Sequence, residues 1–380
     1  MASSRLHALH DAGQSIWLDF IDRRLLTSGE LDRRIRDEAI TGMTSNPTIF
    51  EKALAEGSDY DEQLQGAPAE MDARERFELV ATTDVADACD HFRSVYDATH
   101  GEDGYVSIEV APDLAHDEEG TVVEARRLWA RVSRPNVMIK VPGTAAGARA
   151  TRRLIAEGVN VNITLLFSVE AYRSVIHAYL DGLEARHAAG ESLERMASVA
   201  SFFVSRVDTE VDARLEKLAA AADADRARAL RALQGRAAVA NARMAYALFQ
   251  EMFAGARWEA LAAAGARVQR PLWASTSTKN PAYRDVIYVE ELIGPHTVNT
   301  MPPATITAFA DHGVVERTVD RDVNGARAVL GELAAAGIDM NDVTALLLEN
   351  GLKSFQKSFD TLLAQVERKT RALSTVGGEE

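Results

Sequence analysis

The sequence predicts an α/β fold: a closed (β/α)8 TIM barrel with extra helices. Short apolar runs alternate with longer helical patterns along the whole 380-residue chain, which is the mark of βαβ units around a parallel sheet. Eight of those runs read as strands, the number a closed parallel barrel needs. An open, doubly wound sheet is the competing arrangement, but no G-x-G-x-x-G turn follows an early strand to support it.

The strands are read, in order, at "SIWLDF" (15–20), "TGMTSN" (41–46), "YVSIEV" (105–110) and "NVMIKV" (136–141), then at "VNVNITLLF" (159–167), "SVASFFVSRV" (198–207), "PLWAST" (271–276) and "HTVNTM" (296–301). The helices between them have recognisable ends. "TVVEARRLWARV" (121–132) shows helical spacing and is cut off by Pro135. The helix over 144–158 closes on Gly158, a good C-terminal glycine, and that over 168–190 starts from Ser168 as N-cap. Segment 208–264, rich in Ala and Arg, is a long insertion of two or more helices before strand 7. Residues 341–373 form a last helical region, expected to break near Gly351 and to pack over a barrel end. Residues 1–373 read as a single barrel domain, and the tail 374–380, "STVGGEE", as disordered.

A formal charge of −15 and a pI near 5.2 argue against binding nucleic acid or an anionic membrane. They leave room for anionic small substrates, which need only local cations. Cys89, the one cysteine, has no internal disulfide partner and reads as a packed thiol. The start of the chain lacks an apolar signal region and no apolar run approaches a membrane span, so a cytoplasmic protein is expected. A homo-oligomer remains open.

Barrel enzymes gather functional side chains at the C-terminal strand ends. Lys140 is the most conspicuous polar residue there. It interrupts the apolar run "VMIKV" in a chain with seven lysines against 35 arginines. A buried, unpartnered ammonium tends toward a depressed pKa, and a neutral amine can condense with a ketone to a Schiff base, which arginine cannot do. A plain ion pair with Glu109 fits the position equally well. Asp19 at the end of the first strand can serve as general acid and base, or as an N-cap or partner of Arg23 or Arg24. Glu109 and Ser107 alternate on one face, as do Asn160, Asn162 and Thr164; three polar residues on one face of an interior strand are hard to explain as packing. Ser201 and Arg206, and the stretch Ser275 through Lys279, add hydroxyls and cations suited to an anionic group. Neither a metal-ligand pattern nor a phosphate loop or nucleophile elbow is present in the sequence, so no metal and no organic cofactor is expected.

Across nearly its whole length the sequence resembles transaldolases, in particular the longer bacterial form. The resemblance is carried by "GMTSNPTIF" (42–50), "VSIEVAP" (106–112), "NVMIKVPGT" (136–144), "NVNITLLFS" (160–168), "VASFFVSRVD" (199–208) and "LWASTSTKNP" (272–281). It implies a Schiff-base aldolase of the non-oxidative pentose phosphate pathway, acting on sugar phosphates. Such an enzyme moves a dihydroxyacetone unit from sedoheptulose 7-phosphate to glyceraldehyde 3-phosphate, giving erythrose 4-phosphate and fructose 6-phosphate. Position by position, it implies Lys140 as the Schiff-base lysine and Asp19 as acid and base for the C–C bond. Glu109 and Thr164 would hold the water of carbinolamine formation and dehydration. Asn46, Asn162 and Ser201 would contact substrate, with Phe203 packing beside the site and Arg206 on the phosphate. Lys279 stands near where shorter transaldolases carry an arginine, and is carried over as a second phosphate ligand. Two alternatives stand beside this reading: a lyase like fructose 6-phosphate aldolase, and a non-catalytic sugar-phosphate-binding barrel.

Overall fold

The computed structural model describes residues 4–55 and 57–376. Its centre is a closed parallel barrel of β1 (Gln14–Leu18), β2 (Ile40–Thr44), β3 (Val106–Glu109), β4 (Val137–Pro142), β5 (Val161–Leu166), β6 (Ser198–Phe203), β7 (Arg270–Ala274) and β8 (Thr297–Met301). Strands pair in chain order and β8 returns to β1, with Gln14 opposite Thr297 and Leu18 opposite Met301. Almost every strand residue is buried, because helices cover the outside while side chains fill the inside. That is why the strands read as continuous apolar runs rather than alternating ones.

All the expected strands form, with one boundary that matters. The sixth was expected to run to Val207 but ends at Phe203. Val204 leaves extended geometry (φ −101, ψ −73) and the helix Ser205–Ala220 begins at once, so Arg206 lies in a helix's first turn. The 208–264 insertion resolves into helices Ser205–Ala220, Ala224–Arg231, Ala237–Met252 and Ala256–Ala263. Ser168 caps its helix by accepting from the Ala171 N–H, Gly158 closes the preceding one in the left-handed region (φ 93), and Cys89 is buried.

The expected break at Gly351 is absent. Met340–Val376 is one continuous helix of 37 residues. Gly351 is buried, and a Cβ there would stand 2.9 Å from Leu165 Cδ2. Its missing side chain therefore serves close approach to β5, and packing offsets the roughly 1 kcal/mol that glycine costs inside a helix. The helix runs three residues into the tail expected to be disordered, to Val376; residues 377–380 lie outside the described part. It packs on helices Pro47–Ala55, Ala73–His91 and Ser205–Ala220, and so crosses the C-terminal mouth of the barrel.

Candidate active site

Alternation along each strand decides what reaches the mouth. On β4, Met138 lines a cavity at the bottom of the barrel, and two residues on Lys140 lines one at the top. On β6, Val199, Ser201 and Phe203 climb the same way. The upper cavity measures about 430 Å³ and is walled by Asp19, Asn46, Lys140, Thr164, Ser201, Phe203, Arg206 and Lys279, among others. This volume is in the range that holds a small metabolite.

Lys140 is 5 % exposed. Its Nζ lies 3.2 Å from Glu109 Oε2 and donates to the Ser45 carbonyl at 3.2 Å. The two residues are direct neighbours in the β3–β4 register. Of the two readings the sequence left open, the ion pair with Glu109 is present: the amine has a carboxylate beside it. Burial pushes the Glu109 carboxyl above the ordinary range, against the pull of Lys140. Glu109 Oε2 and Thr164 Oγ1 are both buried without a hydrogen-bond partner among the described residues. Buried polar groups are rarely left so outside functional sites.

Asp19 follows β1 directly and accepts from Thr44 Oγ1 at 2.8 Å. Its bland readings fail, because Asp22 caps the next helix, Arg23 pairs with Asp84 and Arg24 with Asp59. Desolvation raises its pKa, while Lys140 and the Thr44 hydrogen bond act in the other direction.

Asn162 is fully buried. Its Nδ2 donates to Ser107 Oγ at 2.9 Å and its Oδ1 accepts from Ser201 Oγ at 2.7 Å, so it forms the floor beneath Ser201 rather than the cavity wall. Asn46 accepts from the Ile49 N–H at 3.0 Å and lines the wall. Asn160, read with Asn162 on one face, is purely architectural here: it donates to the Pro135 and Val137 carbonyls and accepts from Ala197 N. Parity set its face, but its height in the barrel set its role.

Arg206 stacks over the Phe203 ring at 5.2 Å, and Lys279, at the mouth, donates to Ser277 Oγ at 2.8 Å. Among the described residues neither has a carboxylate in ion-pair range. Burial lowers the Arg206 pKa; partial desolvation and then the nearby Arg206 lower that of Lys279. Two adjoining cations without an acidic partner make a place for an anion.

Sequence reasoning missed several wall residues: Thr44, which holds Asp19, Thr300, which shares a 2.6 Å hydrogen bond with Thr44, Lys52, and Phe355 from the last helix. Thr44 had a signal, since it stands inside "GMTSNPTIF". Phe355 had none, because only tertiary packing brings the last helix over the mouth. The "VPGT" turn after Lys140 has a structural part in the site. Gly143 N donates to Thr164 O at 2.6 Å, and a Cβ on Gly143 would meet Leu166 Cδ2 at 2.5 Å. Thr144 caps the next helix through the Gly147 N–H. The turn thus fixes β5, and with it Thr164, against Lys140.

The structure brings together a lysine paired with a glutamate, an aspartate and two cations at the mouth of the barrel, and the sequence comparisons give the chain's family. The sequence model of the family described as Transaldolase/Fructose-6-phosphate aldolase matches residues 16–366. The chain belongs to the transaldolase/fructose-6-phosphate aldolase family. It is 51 % identical to a transaldolase of Saccharopolyspora erythraea over 373 residues, covering 97 % of this chain and 98 % of that one. With a Thermobifida fusca transaldolase it shares 51 % over 371 residues, 97 % and 99 % of the two chains. With one from Trichodesmium erythraeum it shares 46 % over 380 residues, 99 % and 100 % of the two.

Proposed function

We propose that this chain is a transaldolase that carries a dihydroxyacetone unit as a Schiff base on Lys140, between sugar phosphates of the pentose phosphate pathway. The observation that supports this most is the buried Lys140–Glu109 pair at 3.2 Å, whose lysine lines the cavity that also holds Asp19. The described residues include no helix long and apolar enough to cross a membrane, which is compatible with the cytoplasmic setting expected for such an enzyme.

Glu109, whose burial already favours its protonated form, takes the ammonium proton and frees the amine. Nζ attacks the donor's ketone carbon to give a carbinolamine. The Glu109 carboxyl, acting with Thr164 through a water, returns a proton to the departing hydroxyl, water leaves, and a protonated imine remains. That imine accepts the electron pair of the scissile C–C bond. Asp19 removes the proton from the hydroxyl on the carbon beyond that bond, and the aldehyde departs. The enamine left on Lys140 then adds to the acceptor aldehyde, Asp19 gives its proton to the new hydroxyl, and hydrolysis of the imine releases the product ketose. Asn46 and Ser201, steadied by Asn162, hold the fragment's hydroxyls, while Arg206 and Lys279 hold the phosphate.

Borohydride reduction in the presence of fructose 6-phosphate, followed by peptide mass mapping, tests this. The expected result is a reduced three-carbon adduct on the peptide holding Lys140. An adduct on another lysine, or none, overturns the assignment.

A further inference from the structure

The polar residues leave one demand of this chemistry unmet. The enamine must survive while one aldehyde leaves and another arrives. If a solvent proton reaches its carbon, an iminium re-forms. Water then adds to that iminium, the C–N bond breaks, and free dihydroxyacetone is lost with the amine restored.

The helix Met340–Val376 carries Gly351, Phe355 and Phe359 at four-residue spacing, hence on one face. Gly351 lies close against Leu165, which sits where the β5–β6 register shifts and has a left-handed backbone (φ 59). Phe359 packs edge-on against Phe77 at 5.9 Å and receives the Arg74 guanidinium at 5.6 Å. Thr48 donates to Ser358 Oγ at 2.9 Å from the β2 side. Between these anchors Phe355 is 5 % exposed and lines the cavity, with its ring centroid 5.8 Å from Lys140 Nζ.

We propose that Phe355 is a positioning residue that sets how the enamine divides between transfer and loss. This rests on the Schiff-base reading above. The ring covers Nζ against bulk water and presents its π face to the imine cation. The water needed for hydrolysis of the true product is left to Glu109 and Thr164.

The test is the ratio of free to transferred dihydroxyacetone, with fructose 6-phosphate as donor and erythrose 4-phosphate as acceptor. Phe355→Ala is expected to raise the ratio by about tenfold, because an opened water path speeds protonation of the enamine carbon while capture by the acceptor aldehyde keeps its rate. Phe355→Leu, which keeps an apolar cover, should fall between it and the native enzyme and stands in should the alanine variant fail to fold. A general loosening of the helix would lower both products together, and an unchanged ratio in the leucine variant or in a folded alanine variant overturns the role. Borohydride trapping of the native enzyme separates the two failures. An unchanged ratio with the Lys140 adduct present removes Phe355 alone, whereas absence of the adduct removes the Schiff base and this role with it.

Discussion

The barrel holds a buried ion pair at each end, and the two are built differently. At the bottom, Arg270 lies 3.6 Å from Asp103. Asp103 also accepts from Ser15 Oγ, Trp17 Nε1 and Gly104 N, while Arg270 donates to Ser15, to the Thr297 carbonyl and to the Glu102 carbonyl. At the top, Lys140 and Glu109 stand closer together, but among the described residues Glu109 Oε2 has only the Lys140 amine beside it and Lys140 has one carbonyl besides. Buried charge is stabilising only when its remaining hydrogen bonds are made. The lower pair is closer to that condition, with Arg270 Nε alone of its polar atoms left without a hydrogen-bond partner among the described residues, and closes the barrel. The upper pair departs from it, as the proton exchange and nucleophilic attack proposed for it require.

Exchanging the cation at each end tests this contrast most strongly. Lys140→Arg keeps the charge but removes the nucleophile, and should lower kcat by at least about 10³-fold with little change in thermal stability. Arg270→Lys should do the reverse. It leaves turnover near native and destabilises by about 2 kcal/mol through lost hydrogen bonds, read by denaturant melts. Loss of activity in Arg270→Lys without loss of stability would break the comparison.

A smaller effect is expected at the rim. Arg206→Ala should raise KM for a phosphorylated donor by roughly 10- to 100-fold, as expected for one charge-assisted contact, and leave an unphosphorylated ketose largely unaffected. Equal effects on both donors would take Arg206 out of the phosphate site.

The smallest expected effect concerns pH. Desolvation raises Asp19 above the ordinary carboxylate range, so the folded state holds its proton more firmly than the unfolded chain does. That contribution to stability is complete below the ordinary pKa, about 4, and is lost as pH rises through the raised value. Asp19→Asn should therefore melt slightly above the native protein at neutral pH, with the gap closing toward pH values of about 4. A gap that widens on acidification would mean that the site stabilises the carboxylate after all.

Much of this was legible in the sequence. Strand positions and their order follow from local apolar runs, and Lys140 and Asp19 reach the cavity because strand-end residues have few other places to go, while Arg206 reaches it from the first turn of the helix after β6. Three things were not legible, each for a physical reason. Asn160 and Asn162 share a face, and only their height in the barrel separates a backbone tie from the floor of the site. Gly351 carries the local signal of a helix break, yet its surroundings are a packed contact that needs the missing Cβ. Phe355 is one of two aromatics in an amphipathic helix, and nothing local says which turn will lie above Lys140.

That helix also orders events during synthesis. Every strand of the barrel, through Met301, leaves the ribosome before Met340–Val376 does, and domains tend to fold as they emerge. A nascent barrel can thus present the Lys140 amine to any small carbonyl compound in the surrounding fluid until the final turns dock. A segment made only after the whole barrel thus closes over the amine on which the proposed selectivity rests.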